Sequence, residues 1–322
     1  MIPQPVTQSG MIAYDRWLAE VDDVITSEIA DCYPHEWDEN FISLNWLRAV
    51  TKRFRQVTVA DLDLPFTVTW TAYKANGKVE TRYGDIGVVV DFHLSLNGEA
   101  ATVTGVAFLE AKRVGVKGDY PHLEWDQLRR EAANIGGHRV LLYDHEDIDG
   151  ASQNLETHGF CRHFENAPYG TAHASVAITQ HILALQKRSR NIGSLGVPLG
   201  YQLCARYLRG LDLDYTLDRA TILKDIPGDP RYLIVASVEE SSTADITGGT
   251  PVPNGYVPIS ETPLSAQGRD QDSLYVEGVP PPAEGGMLDL YQQYYSGPPC
   301  RPCSGTSTAH GQDEEEGLLA TA

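Results

Sequence analysis

Cysteine, methionine and long apolar runs are all scarce in this chain. Its 322 residues include five cysteines and three methionines. The cysteines (Cys32, Cys161, Cys204, Cys300, Cys303) are odd in number and widely spaced. That excludes a disulfide-built scaffold and suits a reducing cytoplasm. No apolar run approaches the ~18 residues that a membrane helix needs. The N-terminus has no basic stretch followed by an apolar one, so neither a leader nor a membrane contact is expected. Positive charge is short as well: 25 Lys and Arg stand against 44 Asp and Glu, a net charge of −19. From Ser237 onward there are 13 acidic and 2 basic residues. Such a balance argues against tight non-specific DNA binding and leaves any nucleic-acid contact to local basic patches and a bound cation.

What is present is a core. Hydrophobic residues make up 42% of the chain, enough for one large domain or two small ones. Met11 to Ala30 has helical spacing, with Trp17, Leu18, Val21, Ile25 and Ile29 largely on one face. Asp38 reads as the N-cap of a second helix that runs through Phe41, Leu44 and Leu47 to Lys52. Phe66 to Tyr73 alternates cleanly, and Asn76-Gly77 predicts a hairpin into Val79 to Tyr83. Glu124 to Ile135 reads as a helix and Arg139 to Tyr143 as a short buried strand. Ser175 to Gln186 and Tyr201 to Leu211 read as further helices, and Arg231 to Val238 as a last strand. The later elements are expected to pack on the core as an accessory layer.

The stretch that carries chemistry runs from Tyr83 to Arg113. Asp85 to Leu96 and Ala101 to Lys112 are rich in Val, Ile, Phe and Thr, with Asn97-Gly98 between them. Asn-Gly between two apolar runs is the strongest short signal for a two-residue hairpin turn. Such a turn pairs Leu96 with Glu99, and counting back along both strands brings Asp85 opposite Glu110, with Cβ atoms roughly 5 Å apart. Lys112 lies two residues beyond Glu110 and so shares its face. Adjacent carboxylates raise each other's pKa unless a cation sits between them. Their hard oxygens suit Mg²⁺ or Mn²⁺, which takes one or two carboxylates plus water and substrate phosphate. A lysine beside them can orient the attacking water or stabilise charge on a phosphate. Glu-x-Lys alone occurs by chance about once in an ordinary chain. The apolar strand before it and the facing Asp are what raise the pattern above chance.

The order Gly84-Asp85, strand, Glu110-Ala111-Lys112 resembles the PD-(D/E)xK, or restriction-endonuclease-like, nuclease superfamily, in the form found in bacterial defence modules. The resemblance covers roughly residues 38 to 145, and Gly84 stands where the motif has proline. It implies an α/β fold with a core of helix, three-strand meander, crossover helix and strand, here followed by extra C-terminal helices and a disordered acidic tail. It also implies a metal-dependent nuclease, acting on DNA by first expectation, with Mg²⁺ or Mn²⁺ held by Asp85, Glu110 and the Ala111 carbonyl. Glu39 would complete the metal site, with Glu36 second in line, and Lys112 would orient the attacking water. RecB-like members carry a glutamine on the crossover helix and a tyrosine four residues later. This chain has Gln127, but Glu131 in place of the tyrosine.

Basic residues placed to meet nucleic-acid phosphates are Arg113, Lys117, Arg129, Arg130, Lys187 and Arg188. Tyr120 and His122 lie on the turn-rich loop between Val114 and Leu123, where they could meet substrate. His158, Cys161 and His163 supply three zinc-type ligands without a plain fourth. Residues 1–236 are expected to form the nuclease domain with its accessory helices. Residues 237–322, rich in Pro, Gly and acids, are expected to be disordered. Within that tail, residues 287–295 or the acidic run Asp313 to Glu316 would engage a protein partner. The alternative function is a catalytically silent nuclease-like module that binds nucleic acid or a partner protein.

Overall fold

A computed structural model describes residues 11–60, 65–76, 82–96, 99–148, 172–216, 230–240, 252–253 and 255–261. The chain divides into a unit spanning Met1–Arg269 and a second spanning Asp270–Ala322, and all described residues belong to the first. That unit is mixed α/β, built on one mixed sheet of ten strands.

The helices follow the sequence pattern closely. Helix α1 (Tyr14–Ala30) buries Trp17, Leu18, Val21, Ile25 and Ile29. Helix α2 (Glu39–Arg53) starts where Asp38 accepts from Asn40 N and Phe41 N, a cap worth about 1 kcal/mol. After β1 (Ile12–Ala13), β2 (Gln56–Ala60) and β3 (Phe66–Ala75) comes the long hairpin of β4 (Ile86–Leu96) and β5 (Glu99–Arg113). Its register runs without a bulge from Leu96↔Glu99 to Ile86↔Leu109. Helix α3 (Trp125–Asn134) then crosses over to β6 (His138–Tyr143), which pairs parallel to β5 from Phe108↔His138 to Arg113↔Tyr143.

Three expectations are corrected. The predicted meander is interrupted, because β9 (Tyr232–Glu240) lies between β3 and β4, antiparallel to the first and parallel to the second. The stretch expected as an accessory layer is therefore a central strand. Sequence order hides this, since a strand's neighbours are fixed by long-range pairing. Second, Ala174–Ile178 is a strand, β7, on the far edge of β6, and helix α4 is only Thr179–Leu185. The β-branched Val176 and Ile178 fit the pleated edge that β6 offers, and tertiary pairing overrides their helical spacing. Third, the compositional break at Ser237 falls inside β9, and β10 (Tyr256–Pro258) pairs with β3, so the sheet extends past the expected domain boundary. Beyond β7, Val197–Pro198 forms the edge strand β8, and a helical stretch continues from Leu199–Tyr201 through Tyr207–Arg209. Residues 77–81, 149–171 and 262–322 lie outside the described residues. With them go most of the strand expected over Val79 to Tyr83, the His158, Cys161 and His163 cluster, the 287–295 segment and the acidic run.

Strand alternation sorts the hairpin's side chains onto two faces. Leu109 and Ala111 share the apolar core with α1 and α2. Phe108 lies on the other face, against Val89, Leu233 and Ile135. Glu110 and Lys112 continue that second face, beneath α3.

Candidate metal-dependent active site

Asp85 sits one residue before β4, next to the last pair of the hairpin, Ile86↔Leu109. Its backbone N donates to Leu109 O at 2.9 Å, and its carboxylate Oδ2 accepts from Ala111 N at 3.0 Å. In an extended strand a residue's N–H and C=O leave on the same side. The Ala111 carbonyl therefore leaves β5 on the side of Asp85. Gly84 makes this approach possible. Its φ is +114°, and a Cβ there would meet Leu109 O at 2.8 Å. Proline, locked near −65°, could not take this conformation.

Strand β9 supplies the other wall, which sequence reasoning missed. Tyr232 N donates to Asp85 O at 3.0 Å, and the Tyr232 hydroxyl donates to Asn40 O at 2.9 Å. The second bond ties the start of α2 to this end of the sheet. It thereby helps bring Glu39 over the end of β5, where Glu39 Oε1 accepts from Arg113 N at 3.0 Å.

Lys112 Nζ donates to Glu110 Oε1, and both side chains are nearly buried. Gln127 Nε2, reaching down from α3, donates to the same oxygen at 2.7 Å. The remaining oxygen, Glu110 Oε2, is buried with no hydrogen-bond partner. Burial and the neighbouring Asp85 push the Glu110 carboxyl well above the usual carboxylate range, although Lys112 opposes the rise. Burial likewise raises Asp85 and Glu39, with Lys112 again opposing. For Lys112 burial works against the charge, but Glu110, Glu39 and Asp85 outweigh it and hold the ammonium protonated far above neutrality. Lys112 thus faces three carboxylates, with Arg113 acting on Glu39 and Arg231 on Asp85 as further cations.

Among the described residues, no three or more His, Cys, Asp and Glu side chains are grouped so as to hold a metal ion. Two carboxylates and a backbone carbonyl are nevertheless a sufficient protein share for Mg²⁺ or Mn²⁺, which keep several waters and use substrate oxygens. The orphaned Glu110 Oε2 fits such an ion.

The expected phosphate contacts divide. Arg188 donates to Leu123 O at 2.7 Å and lies 5.6 Å from the Trp125 ring centre, so it fastens the loop after β5 to α3. Arg129 pairs with Asp126 at 2.7 Å on the exposed side of α3. Lys117, Arg130 and Lys187 are exposed, and Arg113 is partly buried beside Glu39. Arg190 grips Asp144 through two bonds of 2.7 and 2.8 Å and also pairs with Glu146. His122 is held below the usual histidine range by burial and by Arg113 and Lys112, which places the loop's charge field within the site. Tyr120, also expected to meet substrate, is buried instead.

Comparison with protein-family models, with curated proteins and with solved structures finds no significant match to this chain.

Proposed function

We propose that this chain is a metal-dependent nuclease that hydrolyses phosphodiester bonds, with DNA as the first substrate to test. The observation that carries the reading is Lys112, held charged among Glu110, Asp85 and Glu39 at the open end of a buried hairpin. Mg²⁺ or Mn²⁺ bound by Asp85, Glu110 and the Ala111 carbonyl, with Glu39 alongside, would neutralise charge on the scissile phosphate. Lys112 is too firmly protonated to serve as a base. It donates instead, to the attacking water or to a non-bridging phosphate oxygen, where a preorganised charged donor stabilises the developing charge. Gln127 fixes Glu110 from above. Lys117, Arg130 and Lys187 remain available to flanking phosphates. A role in prokaryotic or phage-related defence is the setting that the motif resemblance suggests.

The test is incubation of the full chain with duplex DNA, single-stranded DNA and RNA, each with EDTA, Mg²⁺ or Mn²⁺. Cleavage of one polymer that needs the metal is the expected result. By analogy with loss of a single transition-state donor, Lys112→Ala should slow it roughly 10²–10³-fold. Unchanged cleavage in that variant would remove Lys112 from the chemistry. No cleavage and no Mn²⁺ binding by the wild type would point to a silent binding module.

A further inference from the structure

Behind Gln127 the structure holds a second polar cluster for which the hydrolytic reading has no use. Glu131 and His138 are 2% and 3% exposed, on the underside of α3 and at the start of β6. Gln127 Nε2 donates to Glu110 Oε1 at 2.7 Å and to Glu131 Oε1 at 2.9 Å. Both amide protons are therefore used on carboxylates. The flipped amide would turn its oxygen against both, so the orientation of Gln127 is fixed.

On the far side of Glu131, His138 Nε2 lies 3.3 Å from Oε2, within ion-pair distance. The other ring nitrogen, Nδ1, lies 2.9 Å from Thr179 Oγ1, and that hydroxyl also reaches His138 O at 3.1 Å. Thr179 thus holds the ring, and the ring backs the carboxylate that accepts from Gln127.

We infer that Glu131 and His138 are positioning residues that lock the Gln127 amide onto Glu110, and through it set the carboxylate that faces the cation. The last clause rests on the metal-site reading above; the lock on Gln127 does not. Glu131→Gln provides the discriminating variant. Its side-chain oxygen can accept from Gln127 while its nitrogen donates to His138 Nε2, so every bond survives without a carboxylate. Glu131→Leu leaves one Gln127 proton and His138 Nε2 unpaired.

The experiment has two arms on the full chain, with thermal unfolding as the check on folding. In the metal-free arm, ¹⁵N NMR should show the two Gln127 side-chain amide protons distinct and slow to exchange in wild type and Glu131→Gln, and averaged in Glu131→Leu. A Gln127 amide equally ordered in Glu131→Leu would overturn the inference. In the second arm, Mn²⁺ titration by calorimetry should give Glu131→Gln an affinity within a few-fold of wild type and Glu131→Leu one about 10–100-fold weaker. If Glu131→Leu fails to fold, Gln127→Leu replaces it and should show the same loss. Equal loss in Glu131→Gln would overturn the inference by showing that the carboxylate itself is needed. Absence of Mn²⁺ binding in the wild type would sink the metal reading alone, and the lock on Gln127 would then stand or fall by the NMR.

Discussion

The two faces of the sheet near β5 and β6 treat buried polar groups in opposite ways. On the α2 face, the Tyr143 hydroxyl accepts from Trp46 Nε1 at 2.8 Å and bonds Ser43 Oγ at 2.9 Å, and Ser43 Oγ also reaches Glu39 O. On the α3 face, Glu110 Oε2 is orphaned beside Asp85 and Lys112. The first arrangement satisfies its polar atoms and so stabilises the fold. The second leaves a buried carboxylate oxygen unpaired, a conflict of the kind that a bound ligand can resolve. The comparison teaches that polar satisfaction and polar conflict lie on opposite sides of the same two strands.

Four measurements would break or sharpen that contrast. The largest expected effect is that of cation on stability. Mn²⁺ at a hundred times its dissociation constant should stabilise the chain by about 2.7 kcal/mol, read by denaturant unfolding, and Asp85→Asn should abolish the gain. On the opposite face, Tyr143→Phe should cost about 1–3 kcal/mol in denaturant unfolding, because Trp46 Nε1 loses its acceptor.

The pH profile comes next. Burial raises the Asp22 carboxyl to about 7, with a bond from Gly200 N opposing. Between pH 4 and 7 the folded chain thus holds a proton that the unfolded chain has released. Stability from this group is present below the unfolded value and is lost as pH rises through the folded one, by at most about 1.4 kcal/mol per pH unit. Glu110, Asp85 and Glu39 are raised as well and act in the same direction without metal. Asp22→Asn should flatten part of the metal-free profile, and added Mn²⁺ a further part. An unchanged slope in both would contradict the assigned burial. The smallest effect is that of Asp85→Asn without metal. It removes one of the crowded charges but keeps an acceptor for Ala111 N, and should stabilise by about 0.5–2 kcal/mol in thermal melts.

Local signals were legible wherever chemistry is set by neighbours in the chain. Asp38 capped its helix as read, and the hairpin kept the expected register through eleven pairs, ending at Ile86↔Leu109 beside Asp85 and Glu110. Gln127 was legible through its place on the crossover helix. Glu131 was visible only as a departure from a motif, and His138 gave no signal, because a lone histidine at a strand start has many uses. Their role appears only once α3 folds onto β6 and puts Nε2 beside Oε2.

By itself, then, the sequence determined α1, α2 and α3, the long hairpin and which of its side chains share a face, since turn length and strand period are local properties. Only the tertiary structure decided that β9 enters between β3 and β4, that Tyr232 ties α2 to the hairpin, and that Gln127 is locked from behind. These depend on pairings between residues far apart in the chain, with partners up to 192 positions apart. No local pattern encodes such pairings, because burial and hydrogen bonding of the whole sheet select them together.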